Sequence, residues 1–212
     1  MRVRSTSLIA GLAVAAVLPV AAPAAADSKK DSPGNDPCAT GQATGNPCRG
    51  NNGNDKGVDQ RGGAGKYALV SQSGDRNMAD VQQTGGGSAY AKVVQAGDAN
   101  EAVVGQTGSA HATLVLLQGG DRNVANAEQN GSGEENGAVL SQQGQGNELS
   151  LLQDGSDNDA VLTQTGEGNR MTLTQNGAEN RAMWTQPGSN LPDLNVIQNG
   201  GQGIVITQSN GR

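Results

Sequence analysis

Side chains able to do acid–base or metal chemistry are few and scattered in this 212-residue chain. A general base needs an acid or nucleophile within reach, and the single histidine, His111, stands where the surrounding pattern elsewhere has asparagine. It reads as a substituted turn residue. Carboxylates at Asp75, Asp98, Asp121, Asp157 and Glu167 recur in Gly-rich clusters. Calcium would be the ion to consider, but Gly119-Gly-Asp-Arg-Asn123 lacks the nonapeptide calcium pattern, so they read as solvated charges that discourage wrong lateral pairing. Neither a catalytic residue, a metal site nor a cofactor is expected. Cys38 and Cys48 lie in a Pro-, Gly- and Asn-rich stretch. In an exported chain they are a possible disulfide, with free thiols as the alternative.

The chemistry that recurs with fixed spacing is that of primary amides, each able to donate and accept hydrogen bonds at once. Gln72, Gln83, Gln95, Gln106, Gln118, Gln129, Gln142, Gln153, Gln164, Gln175, Gln186, Gln198 and Gln208 follow one another at intervals of 10 to 13 residues. Two positions after a Gln there is commonly a glycine: Gly74, Gly97, Gly120, Gly144, Gly155, Gly166 and Gly177. Five positions after it there is commonly an asparagine: Asn77, Asn100, Asn123, Asn147, Asn158, Asn169 and Asn180.

The elements that must carry these amides follow from the residues between them. Segments such as Asn158-Asp-Ala-Val-Leu-Thr-Gln164 and Asn169-Arg-Met-Thr-Leu-Thr-Gln175 alternate with period two, which predicts strands. The Gly-containing clusters between them are turns, with Gly and Asn supplying positive φ. Residues two apart share a strand face. One face repeats Asn, Ala, a large apolar residue and Gln, as in Asn180, Ala182, Trp184 and Gln186, while the other varies. The constant face is the buried one. Two strands make a unit of about 22 or 23 residues, starting near residues 66, 89, 112, 136, 158 and 180, with a last half unit at Gln202 to Gln208. The expected fold is all-β: a two-sheet β-solenoid of about six and a half strand-turn-strand repeats in which Asn and Gln ladders take the place of an aromatic core.

Composition agrees with this division. Phe is absent, Gly numbers 33, and the hydrophobic fraction is 34%, low for a globule of this size. Arg2 and Arg4 precede an apolar run from Leu8 to Val20 and then Ala-Ala-Pro-Ala-Ala-Ala. This predicts a secretory signal peptide over residues 1–26 rather than a membrane span. Residues 27–65 are poor in large apolar side chains and are expected to be a flexible segment, with the repeat domain over 66–212. Losing Arg2 and Arg4 with the leader leaves 12 basic against 20 acidic residues, a net charge near −8. Such a chain repels phosphate backbones, so nucleic acid is not an expected partner, and no integral membrane segment remains after cleavage.

A soluble solenoid needs caps, yet the last arm, Gly203-Ile-Val-Ile-Thr-Gln208, is as strand-like as any inner one. An open end templates addition of another copy, head to tail and without closure. The pattern Gln-x-Gly-x-x-Asn-x-Ala-x-x-x-Gln resembles the curlin repeat of bacterial curli fibre subunits. It is complete at Gln72/Gly74/Asn77/Ala79/Gln83, Gln95/Gly97/Asn100/Ala102/Gln106, Gln118/Gly120/Asn123/Ala125/Gln129, Gln153/Gly155/Asn158/Ala160/Gln164 and Gln175/Gly177/Asn180/Ala182/Gln186, and Leu149 and Met171 replace its Ala in two others. The resemblance covers about residues 66–208. It implies a secreted subunit that polymerises with itself into extracellular, cell-surface amyloid fibres for adhesion and biofilm, having crossed the periplasm and a dedicated outer-membrane secretion pore, with a second curlin-like subunit as partner. Departures are the residues that replace the opening Ser of that repeat (Lys66, Ala89, Ala112, Asn136 and Asn158), the Gly133-Glu-Glu135 insertion, and Asn190-Leu-Pro-Asp193, where Pro192 predicts a bulge. These leave open whether the chain is a major or a nucleating subunit. A monomeric solenoid that binds a surface polysaccharide is the alternative from another class; the outward Thr163, Thr172, Thr174 and Thr185 are too sparse for regular Thr rows.

Overall fold

A computed structural model of the chain describes residues 48–49, 53–62, 64–108, 111–133 and 135–210. The expected leader, Cys38 and its pairing with Cys48 lie outside the described residues. The strands are β1 (Cys48–Arg49), β2 (Asp55–Gly62), β3 (Lys66–Ser73), β4 (Met78–Gly85), β5 (Ala89–Ala96), β6 (Glu101–Gly108), β7 (Ala112–Asp121) and β8 (Val124–Gly131). They continue as β9 (Asn136–Gln145), β10 (Glu148–Ser156), β11 (Asp159–Glu167), β12 (Arg170–Ala178), β13 (Arg181–Pro187), β14 (Leu194–Asn199) and β15 (Gly203–Thr207).

Alternate strands go to alternate sheets, because each Gly-containing turn sends the chain across to the facing stack. The even-numbered strands β2 to β14 form one parallel stack, edged by the short antiparallel β1, and the odd-numbered strands β3 to β15 form the other. The result is the two-sheet β-solenoid that the repeat predicts. Register is strict: Gln142 pairs with Gln118 and Gln164, and Gln153 with Gln129 and Gln175. A slip of one residue would turn every buried side chain outward.

The core is a column of small and branched residues between the stacks, among them Ala102, Val104, Leu114, Leu116, Leu140, Leu162 and Leu173. Trp184 lies at the level of Leu162 and Ile206 and is almost fully buried, as its place on the inner face predicts. Its indole N–H has no acceptor.

Two expectations are corrected. Asp55–Gly62, assigned from sequence to the flexible segment 27–65, is the strand β2 and pairs in register with β4. The solenoid therefore starts a strand earlier than residue 66. The reason is visible in Gln60 and Gly62, a Gln-x-Gly step twelve residues before Gln72. The second concerns the turns. Besides the glycine two after each Gln, the left-handed position belongs to the residue before each Asn, held by Arg76, Ala99, Arg122, Asp157 and Glu179, rather than to the Asn itself; Asn190 is the one Asn at positive φ among the described residues.

At the sixth repeat the chain steps over Pro192. Leu191 N–H donates to Asn169 Oδ1, while Leu194 pairs with Met171. Three residues there span what two span in the rung before, the bulge that Pro192 predicts.

Candidate functional site

The glutamines form two continuous rows. In one, Gln60 Nε2 donates to Gln83 Oε1 at 2.6 Å, and the relay passes through Gln106, Gln129, Gln153 and Gln175 to Gln198. In the other, Gln72 donates to Gln95 at 2.8 Å, and the relay passes through Gln118, Gln142, Gln164 and Gln186 to Gln208. Every bond points the same way, Nε2 toward the next rung. From Gln72 onward the second hydrogen of each amide is held by a main-chain oxygen, such as Met78 O for Gln95 and Glu101 O for Gln118. The inner glutamines are buried, and this full pairing is what makes their burial stable.

The asparagines act differently from an amide-on-amide ladder. Asn77 Oδ1 accepts the backbone N–H of Asn100 at 3.0 Å, and Asn77 Nδ2 donates to Gly97 O at 2.7 Å. The same clamp recurs at Asn100, Asn123 and Asn147. At the opposite corner Asn158 Oδ1 accepts Asn180 N–H and Asn180 Oδ1 accepts Gln202 N–H. Each Asn thus ties its rung to the turn of the next, and amide contacts such as Asn123 Nδ2 to Asn100 Oδ1 come second. Sequence reading missed three members. Asn54 accepts Asn77 N–H, Asn136 accepts Asn158 N–H, and Gln60 opens the first Gln row. Asn136 was legible from its arm, Asn136-Gly-Ala-Val-Leu-Ser-Gln142, once the Gly133-Glu-Glu135 insertion is allowed for.

The glycines Gly74, Gly97, Gly120, Gly144, Gly155, Gly166 and Gly177 all have positive φ. For six of them a Cβ would strike a main-chain atom of the next rung, so the stacking distance itself excludes a side chain there; only Gly177 has room, its nearest neighbour being Gly200 Cα at 3.5 Å.

Two of the five turn carboxylates have a structural task. Asp98 Oδ1 accepts Asp75 N–H at 2.8 Å and Asp121 Oδ1 accepts Asp98 N–H at 2.9 Å, so they are part of the stacking rather than merely solvated. His111 is exposed, and its carbonyl accepts Asn136 N–H. Among the described residues no three His, Cys, Asp or Glu side chains converge as a metal set. Burial pushes the Asp159 carboxyl above its ordinary value, against the pull of Arg181. Arg170, on the outer face, joins Glu148 at 2.7 Å to Asp193 at 3.2 Å, and its hydrogen bond to Glu148 raises its pKa. Thr163 and Thr185 share a column with Thr207, whereas Thr172 and Thr174 lie on the other sheet, so they form no two-column Thr array.

The two ends of the stack are chemically complementary. Among the described residues, the outer edges of β3, β14 and β15 pair with no strand. At the β3 end Gln72 Oε1 is buried without a donor. At the opposite end Gln208 Nε2 has its one remaining bond to Pro192 O.

Residues 133–166, spanning β9, β10 and most of β11, match the curlin associated repeat. No curated protein and no solved structure matches the chain.

Proposed function

The chain carries the curlin repeat, and from that premise we propose that it is a secreted structural subunit that assembles head to tail into extracellular curli-type amyloid fibres supporting adhesion and biofilm. A β-solenoid of this kind is a structural scaffold, and the repeat suggests a curli-type subunit. The observation that carries the reading is the complementarity of the ends: an orphan amide oxygen at Gln72 facing one way and the donor row ending at Gln208 facing the other. A second copy stacked in register would continue the odd-numbered sheet and its Gln row, β15 of one copy meeting β3 of the next, while on the other stack β14 would meet β2 beyond the two residues that β1 pairs. Because a buried acceptor without a donor costs about 1–3 kcal/mol, the contact satisfies what the isolated chain leaves unpaired. The family resemblance supports a dedicated outer-membrane secretion pore and a second curlin-like subunit as partners.

The test uses residues 27–212 at micromolar concentration, followed by thioflavin fluorescence and electron microscopy. Cross-β filaments are expected, after a lag for a major subunit and rapidly, with seeding of a second curlin-like chain, for a nucleator. A chain that stays monomeric for days, alone and with curlin seeds, would sink the reading.

A further inference from the structure

The two outer faces of the solenoid differ in kind. On the even-numbered stack acids recur from rung to rung, as at Asp59, Asp80, Glu101, Glu128 and Glu148, and no two large apolar residues follow each other in a column. On the odd-numbered stack the central outward column reads Leu69, Lys92, Val115, Val139, Val161, Met183 and Val205. Val94 and Leu117 widen it, and at its head the rings of Tyr67 and Tyr90 stack at 5.5 Å. Leu69 is 41%, Met183 37% and Val205 77% exposed, which is far from the buried state that such side chains favour. Among the described residues the only charged side chains in these outward columns are Lys92, Asp159 and Arg181.

We propose that this face is a lateral contact between two copies of the chain, solenoid against solenoid with their axes antiparallel. Two observations choose the occupant. The first is charge: the protein is acidic overall, and this is the broad face on which two copies meet without opposing rows of carboxylates. Antiparallel axes set Lys92 opposite Met183 and Arg181 opposite Tyr90, so that no cation faces another, whereas parallel axes would set Lys92 against Lys92. The second is area. Seven strands about 4.8 Å apart, each offering about six residues of 3.3 Å, outline roughly 600 Å² of flat surface; with its relief this approaches the roughly 800 Å² per partner of a stable interface. The pairing is side by side and adds to the fibre reading, in which growth is end to end.

Val139→Lys combined with Val161→Lys puts two cations in the middle of the column, at outward positions that leave the core intact. For residues 27–212, sedimentation before elongation should show a dimer, and dark-field electron microscopy should give filaments with twice the mass per length of a single solenoid. The double variant should sediment as monomer and halve the mass per length while thioflavin-detected elongation continues. Ser150→Lys with Thr172→Lys, the same change on the acidic stack, should leave pairing intact. If circular dichroism shows the first variant unfolded, Val139→Thr with Val161→Thr keeps the branched shape and should still weaken pairing. A parent chain that is monomeric in sedimentation and single in its filaments overturns the proposal, as does equal loss of pairing from changes on either stack. Intact pairing without elongation overturns the fibre reading instead.

Discussion

The amide of Gln118 shows how much one side chain holds. It receives from Gln95, donates to Gln142, and also bonds Glu101 O across the core. Gln118→Ala leaves a buried donor and a buried acceptor in the adjacent rungs without their partners, an expected loss of about 2–3 kcal/mol in chemical denaturation. At Gly144 the constraint is steric: a Cβ would overlap Gly166 O at φ 111°, so Gly144→Ala should cost about 3 kcal/mol. Gly119→Ala, with nothing within 4 Å of the new atom, should leave the melting temperature nearly unchanged. Asp159 supplies a pH dependence. Its folded pKa is raised, chiefly by burial, so the native state holds the proton more tightly than the unfolded chain. The stability it contributes is full below the ordinary carboxylate pKa and is lost as pH rises through the raised folded value. Asp159→Asn should flatten that part of a stability-against-pH curve; an unchanged slope would assign it to other acids.

At the level of the turn, the residue before the Asn of each Gln-x-Gly-x-x-Asn step is strained wherever it is not glycine. Ala99 sits at φ 56°, a region that costs an L-residue about 1–2 kcal/mol, while glycine's extra freedom when unfolded gives back about half of that. Ala99→Gly should therefore stabilise the solenoid by about 0.5–1 kcal/mol, measured by thermal unfolding. This strain was not legible beforehand, because Arg76, Ala99, Arg122, Asp157 and Glu179 share no chemistry that marks a left-handed position. The strands themselves were legible, since the alternation in Asn158-Asp-Ala-Val-Leu-Thr-Gln164 has one solution once one face must be dry. Asp55–Gly62 was hidden because Lys56 stands where later rungs carry Ala79 and Ala102, which leaves Val58 as the one apolar residue on the inner face of that arm. The Gln rows could be read from spacing alone. The Asn clamp could not, for the same amide could have bonded its neighbour in place of the backbone.

For the molecule as a whole, stacking makes stability a sum over neighbouring rungs, so position along the axis decides which property a mutation changes. Gln60→Ala with Gln72→Ala, or Gln198→Ala with Gln208→Ala, should slow elongation more than Gln118→Ala with Gln129→Ala, whereas the central pair should lower monomer stability more. Equal effects on elongation would contradict head-to-tail growth. The direction of the Gln rows has a further consequence. Their side-chain dipoles all point from β2 and β3 toward β14 and β15, so in a filament they add along its length instead of cancelling. A lone filament would then be an electrically polar rod that turns in an applied field, and two filaments laid in opposite senses would be blind to it.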